Sequence, residues 1–343
     1  MQWKDVLMNA NPFLPEMKIS VPVEDGELAL YRYGPDGGKP ILAIHGVTSS
    51  NRAWQCLAKA LIPRGYTLYA VDLRGRGDSH SLPGPFGMSS HVRDMVAVID
   101  HLGIEKIDLI GHSMGAFVAV ALVGSAPERI SRTVLIDGGI ALPLPAGFTV
   151  EQVLPYVIGP ALTRLSMTFD SYESYRNYWR PLPAFVKGWT PVLEEYVDYD
   201  LRGTPPEMHS SVNPKAVEED SVDLFRSDFI NEALENLSDE ILMLRAERGL
   251  QNEDVPLYPI EPLTEALKRF PKVKLITVPT RTTTTFCWIK VALTYVPKLF
   301  MELVGVALDQ EIYFRFPRWN IPHTGFECTC GTNLHISYSW VFC

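Results

Sequence analysis

The chain has 343 residues, 46% of them hydrophobic and 21% charged, which is enough apolar material to bury a large core. A formal net charge of -9 argues against nucleic acid and anionic membrane surfaces as partners. The five cysteines are odd in number and four fall at or after Cys287, so they do not read as the framework of a secreted disulfide protein.

Residues 27–33 read as the first strand. Residues 40–45 (PILAIH) follow as a buried strand between Gly37-Gly38 and Gly46, and residues 54–62 suit a helix that Pro63 closes. Residues 67–72 (TLYAVD) form the next strand. Residues 88–102 are amphipathic at helical spacing, with Val92, Met95, Val96, Ile99 and Leu102 on one side and Gly103 just beyond the end. A strand at 106–110, a small-residue helix at 115–126 and a strand at 132–137 (RTVLID) continue the alternation. Strands alternating with helices predict a parallel sheet covered on both faces, joined by right-handed crossovers.

Residues 141–236 change character. Prolines become dense (Pro143, Pro145, Pro155, Pro160), the aromatic run SYESYRNYWRPLP follows, and strand periodicity stops. This predicts a helical cap or lid over the sheet's C-terminal edge. The sheet resumes at 241–245, with a helix near 261–269 and a last strand at 272–278. The predicted organisation is thus a core of 1–140 and 237–280, a cap of 141–236 and an atypical tail of 281–343. The start MQWKDVLMNANPFLP shows no signal peptide. The apolar stretch 286–308 is interrupted by Lys290, Pro297, Lys298 and Glu302 and makes a poor membrane span. A cytoplasmic location is the expectation.

Gly111-His112-Ser113-Met114-Gly115 is a G-x-S-x-G motif. The motif occurs by chance in loops, and its weight here comes from the strand before it and the helix after it. In that context the serine sits on a sharp turn that lifts Oγ above the sheet. The flanking glycines remove Cβ atoms that would clash there. The following helix N-terminus favours developing negative charge. Ser113 is therefore the predicted nucleophile.

Four segments in order, PILAIHGVTSSNRAW, AVDLRGRGDS, LIGHSMGAFVAVALVGSAPERI and VLIDG, resemble the α/β-hydrolase superfamily in its capped esterase, lipase and epoxide-hydrolase-like branch. The likeness covers about residues 25–140 and, more loosely, 237–280. It implies an α/β fold with a mostly parallel eight-stranded sheet flanked by helices, a helical cap insertion, and a triad in the order Ser, acid, His. A serine at the elbow resembles esterases, lipases and thioesterases, whereas dehalogenases and epoxide hydrolases carry aspartate there. The resemblance assigns the oxyanion hole to the backbone N–H groups of Val47 and Met114. His45 then reads as a structural histidine that holds its loop by hydrogen bonds. For the acid, Glu247 lies closest to the end of the strand ILMLR, with Glu253 and Asp254 further out. Asp137, at the end of the earlier strand, is the alternative, and it also reads as a turn residue bonding nearby N–H groups.

The chain departs from this pattern at the base. The family's histidine belongs in the loop after the last strand, but that strand is followed by Arg281 and a threonine run, and no histidine occurs between His209 and His323. A serine hydroxyl without an adjacent base is a weak nucleophile. Assigning one permitted codon to each of Arg281–Thr294 and reading two nucleotides later spells Asn-His-His-Tyr-Ile-Leu-Leu-Asp-Lys-Gly-Gly-Ala-His, which resembles the missing loop. The expectation is a frame change from about Arg281 onward. Two rivals are His323 or His335 acting as substitute base, and a zinc site of His323, Cys328, Cys330 and His335, although that spacing is not a standard knuckle. The favoured function is a serine hydrolase cleaving a small-molecule carboxylic ester, with no cofactor and no metal. The alternative is an impaired hydrolase-fold protein that binds small apolar ligands. Arg74, Arg76 and Asp78 are expected to shape a loop. Tyr172, Tyr175, Tyr178 and Trp179 are expected to pack the lid more than line a pocket. Glu218-Glu219-Asp220 reads as a solvated face.

Overall fold

The computed structural model of the protein describes residues 13–282, apart from 143, 145–146, 187 and 226–227. The predicted tail therefore lies outside the described residues beyond Thr282, and with it His323, His335, Cys328 and Cys330.

The chain opens with β1 (Met17–Val23) and β2 (Gly26–Tyr33), antiparallel across a tight turn at Asp25-Gly26. Then come β3 (Lys39–Ile44), α1 (Gln55–Leu61), β4 (Tyr66–Val71), α2 (Met88–His101), β5 (Ile107–His112), α3 (Met114–Ser125) and β6 (Ile130–Ile136). Each of these predicted elements is present to within a few residues. A run of helices follows: α4 (Val150–Leu165), α5 (Tyr172–Trp179) and α6 (Pro191–Asp200), the hairpin β7 (Leu201–Thr204) and β8 (Glu207–Ser210), then α7 (Pro214–Asp223) and α8 (Asp228–Glu235). The chain then returns to the sheet as β9 (Ile241–Arg248), α9 (Ile260–Leu267) and β10 (Val273–Thr282).

The eight-stranded sheet runs β1-β2-β4-β3-β5-β6-β9-β10, antiparallel at β1, β2 and β4 and parallel from β4 onward. Alternate side chains of each strand face opposite ways. Leu42, Ile44, Leu109, Leu135 and Met243 join one apolar layer with Met95 and Ile99 of α2 and Phe117 and Val120 of α3. Ile41, Ala43, Ile110, Ile136 and Leu244 join the other with Trp54, Leu57 and Leu61. Burying one such side chain stabilises the fold by about 1.5–3 kcal/mol, which is why the central strands read as continuous apolar runs. The topology also places the site. From β3 the chain goes to β4 on one side and then to β5 on the other, so a crevice opens between the C-terminal ends of β3 and β5.

The helices between β6 and β9 start where the sequence caps them: Thr190 accepts from Leu193 N–H before Pro191, and Asn213 accepts from Lys215 N–H before Pro214. Tyr175 is buried against Phe169, Val197 and Met208, so it packs the segment between β6 and β9. The buried Arg164 guanidinium bonds Tyr175, Asp200 and Ser210. Of Glu218-Glu219-Asp220, Glu218 is exposed as its charge suggests and Glu219 partly so, whereas Asp220 is fully buried. Glu219, Asp220 and Asp223 accept from the N–H groups of Phe86, Gly87 and Met88, and so cap the N-terminus of α2. No helix among the described residues is long and apolar enough to cross a membrane.

Candidate active site

Ser113 stands between β5 and α3 with φ 52° and ψ -122°, a conformation that a residue with a side chain adopts at a cost of about 1–3 kcal/mol. Close packing holds it there. A Cβ on Gly115 would fall 2.1 Å from the Ile44 carbonyl oxygen, and one on Gly111 would fall 2.3 Å from the Gly115 oxygen. Only glycine allows α3 to approach β3 and the turn to close on itself. The Ser113 N–H donates to the Ile136 carbonyl at 2.8 Å, which ties the turn to β6. The side chain itself is half-buried and thus open to a ligand.

The loop after β3 meets this turn. A Cβ built on Gly46 would lie 3.3 Å from Ser113 Cβ. His45 is fully buried, its Nε2 accepts from Leu73 N–H at 3.0 Å and its Nδ1 donates to the Gly46 oxygen at 2.7 Å. Burial holds its pKa down to about 3, so the ring stays neutral. This is the loop-holding role expected of His45. Ser49 N–H also donates to the Gly46 oxygen, at 3.2 Å. In a trans peptide the N–H points opposite the C=O. Pinning the Gly46 oxygen therefore aims the Val47 N–H the other way. Met114 is the first residue of α3, where an N–H has no partner within the helix.

The two candidate acids sit at neighbouring strand ends. Asp137 is fully buried with φ 46°, and its Oδ1 accepts from Ala246 N–H at 3.0 Å while its own N–H donates to the Leu244 carbonyl. It ties β6 to β9. Glu247 is exposed near the end of β9, while Glu253 and Asp254 lie in the loop beyond it. The candidate substitute base His323 lies outside the described residues.

The loop after β4 carries more structure than its sequence reading. Asp72 is buried and accepts from Asn51 N–H, Asn51 Nδ2, Asp78 N–H and the Tyr199 hydroxyl. Arg74 makes a bidentate pair with Asp94, both bonds 2.8 Å. Arg76 is fully buried and its Nε donates to the Val47 carbonyl at 3.0 Å. Arg76 shapes its loop as expected and also reaches the loop after β3, a contact that nothing in its local spacing points to. From α6, Tyr196 meets Ser49 and Glu195 pairs with Arg52 at 2.9 Å.

Comparison with known proteins agrees with this architecture. Residues 39–164 match the family described as alpha/beta hydrolase fold. The chain is 36% identical over 199 residues to lipase LipV of Mycobacterium tuberculosis, a match covering 50% of this chain and 73% of that protein. It is 28% identical over 187 residues to a 3-hydroxybutyrate-oligomer hydrolase of Cupriavidus necator, covering 54% of this chain and 60% of the relative, and so spans less than two thirds of that protein. Among solved structures, E-2-(acetamidomethylene)succinate hydrolase superposes with a TM-score of 0.66 at 18% identity, covering 84% of this chain and 97% of the other. The thioesterase domain from the curacin biosynthetic pathway gives 0.65 at 17% identity, covering 84% and 99%. At these identities the two structures speak for the fold alone.

Proposed function

The chain belongs to the α/β-hydrolase fold family, and from that premise we propose that it hydrolyses carboxylic esters of small molecules through an acyl-enzyme on Ser113. The observation that carries the reading is the left-handed Ser113 turn set against the loop at Gly46. Ser113 Oγ attacks the ester carbonyl and loses its proton to a base. The N–H groups of Val47 and Met114 receive the charge that develops on the carbonyl oxygen, the alcohol leaves, and water then releases the acid. Glu247 is the acid of the triad: it is exposed at the strand end beside β10, where a histidine on the following loop would meet it, whereas Asp137 is committed to Ala246. The helical segment between β6 and β9 serves as the cap, and the protein acts in the cytoplasm.

A second reading is favoured by one observation: the chain carries no histidine between the end of β10 and His323. On that reading the polypeptide keeps the fold and binds small apolar ligands without turnover. Hydrolysis of p-nitrophenyl acetate and butyrate, with Ser113→Ala as control, separates the two. Turnover that Ser113→Ala abolishes, together with labelling of Ser113 by a fluorophosphonate, supports the hydrolase. Turnover unchanged by the substitution defeats the serine mechanism.

A further inference from the structure

We propose that Arg76 is the positioning residue of the oxyanion loop and couples that loop to helix α7 through Asp220. The proposal rests on the assignment of Val47 and Met114 as oxyanion donors. A guanidinium holds its five N–H groups in one rigid plane, so fixing two of them fixes the rest. Here Nε donates to the Val47 carbonyl at 3.0 Å, Nη1 donates to the Arg74 carbonyl at 2.9 Å, and Nη2 lies 4.0 Å from Met114 Sδ. One planar group thus touches both residues that offer an N–H to the developing oxyanion.

The effect on Val47 is specific. The peptide carrying the Val47 N–H is held at its oxygen by His45 and Ser49. The next peptide is held at its oxygen by Arg76. With both planes fixed, φ and ψ of Val47 have no freedom, and its N–H keeps one direction. Preorganised donors of this kind stabilise a transition state because they need not turn when charge appears.

Arg76 is held in turn by the insertion. Its Nη1 pairs with Asp220 of α7 at 2.5 Å, and neither side chain is exposed. Asp220 also faces His91 Nε2 at 3.0 Å and accepts from Gly87 N–H at 2.5 Å. Asn213, just before α7, donates its N–H to the Gly75 oxygen at 2.8 Å, so the start of the helix is tied beside Arg76 by an independent bond. A buried cation deprived of its carboxylate is strongly disfavoured. Loss of Asp220 should therefore release Arg76 from Val47.

Amide hydrogen exchange on the whole chain tests this in Arg76→Met and Asp220→Asn. Both variants should speed exchange across residues 46–51 at least tenfold and leave β5 and β9 within twofold of wild type. Where turnover is Ser113-dependent, kcat should fall at least tenfold with KM within twofold. Unchanged loop exchange in Arg76→Met overturns the proposal. So does a loop loosened by Arg76→Met but not by Asp220→Asn, or equal loosening of loop and core strands. Should Arg76→Met fail to fold, Arg76→Lys keeps a cation opposite Asp220 and loses the bond to Val47, and wild-type loop exchange in that variant is equally fatal. Hydrolysis that ignores Ser113→Ala sinks the catalytic reading alone, because exchange reads the loop without turnover.

Discussion

The cost of the Ser113 backbone conformation is measurable at a single residue. Ser113 holds φ 52° and ψ -122°, which glycine adopts freely. Ser113→Gly should abolish turnover yet stabilise the fold by about 1 kcal/mol, the strain of about 1–3 kcal/mol less the chain entropy that glycine loses on folding. Ser113→Ala should abolish turnover without that gain. Urea denaturation of the pair checks it, and a glycine variant less stable than the alanine one would show that the turn is not strained. His45 gives a second prediction. Its folded pKa lies near 3 against an ordinary 6.5, so below 6.5 the unfolded chain binds a proton that the folded chain refuses. Stability from this group is complete above pH 6.5 and is lost as pH falls toward 3, by about 2 kcal/mol between pH 6.5 and 5. His45→Gln should start less stable and lose that part of the pH slope in denaturation curves. Both residues were legible in the sequence because their context is local: a strand before, a glycine after, a helix start for Ser113. Arg76 was not, since its partners Val47, Met114 and Asp220 are brought to it only by the fold.

At the scale of elements, period and punctuation carried most of the fold. The central strands are apolar on both faces and the helices between them end at Gly or Pro, so their order could be read directly. Two elements escaped. β1 is an edge strand with most of its residues outside the core, and the hairpin β7–β8 sits among prolines that hide its alternation. The burial of Asp220 within the acidic run of α7 is not legible in the sequence, because the N–H groups at the start of α2 that the run accepts from lie about 130 residues away. Packing, not propensity, decides the outcome at Gly115. Glycine to alanine within a helix ordinarily stabilises by up to about 1 kcal/mol. Here the new methyl would lie 2.1 Å from the Ile44 oxygen and push α3 off β3. Gly115→Ala should therefore destabilise by about 3 kcal/mol or more, seen as a fall in Tm, with Ser113 reactivity lost alongside. A neutral or stabilised variant would mean that α3 has room to shift.

For the whole molecule, the question is what completes the constellation at the sheet's C-terminal edge. Ser113, Val47, Met114 and the two carboxylates occupy the ends of β3, β5, β6 and β9, and β10 delivers the chain to the same edge. The family pattern places a histidine after that strand. The sequence ends that strand at Arg281-Thr282 and continues with further threonines, and its candidate His323 lies outside the described residues. Restoring the loop is therefore a test of the molecule as a machine. A chain with residues 281–293 replaced by Asn-His-His-Tyr-Ile-Leu-Leu-Asp-Lys-Gly-Gly-Ala-His should raise kcat/KM for p-nitrophenyl butyrate by on the order of 10³-fold or more, because a missing histidine base costs serine hydrolases at least that much. The gain should vanish on adding Ser113→Ala. In the same background Glu247→Gln should lower kcat, while Asp137→Asn should chiefly lower Tm through the lost bond to Ala246. If the replaced chain is no faster than the given one, the shifted frame is not the source of the base. If His323→Ala then removes Ser113-dependent turnover from the given chain, the tail supplies the base itself, and if it does not, the ligand-binding reading stands.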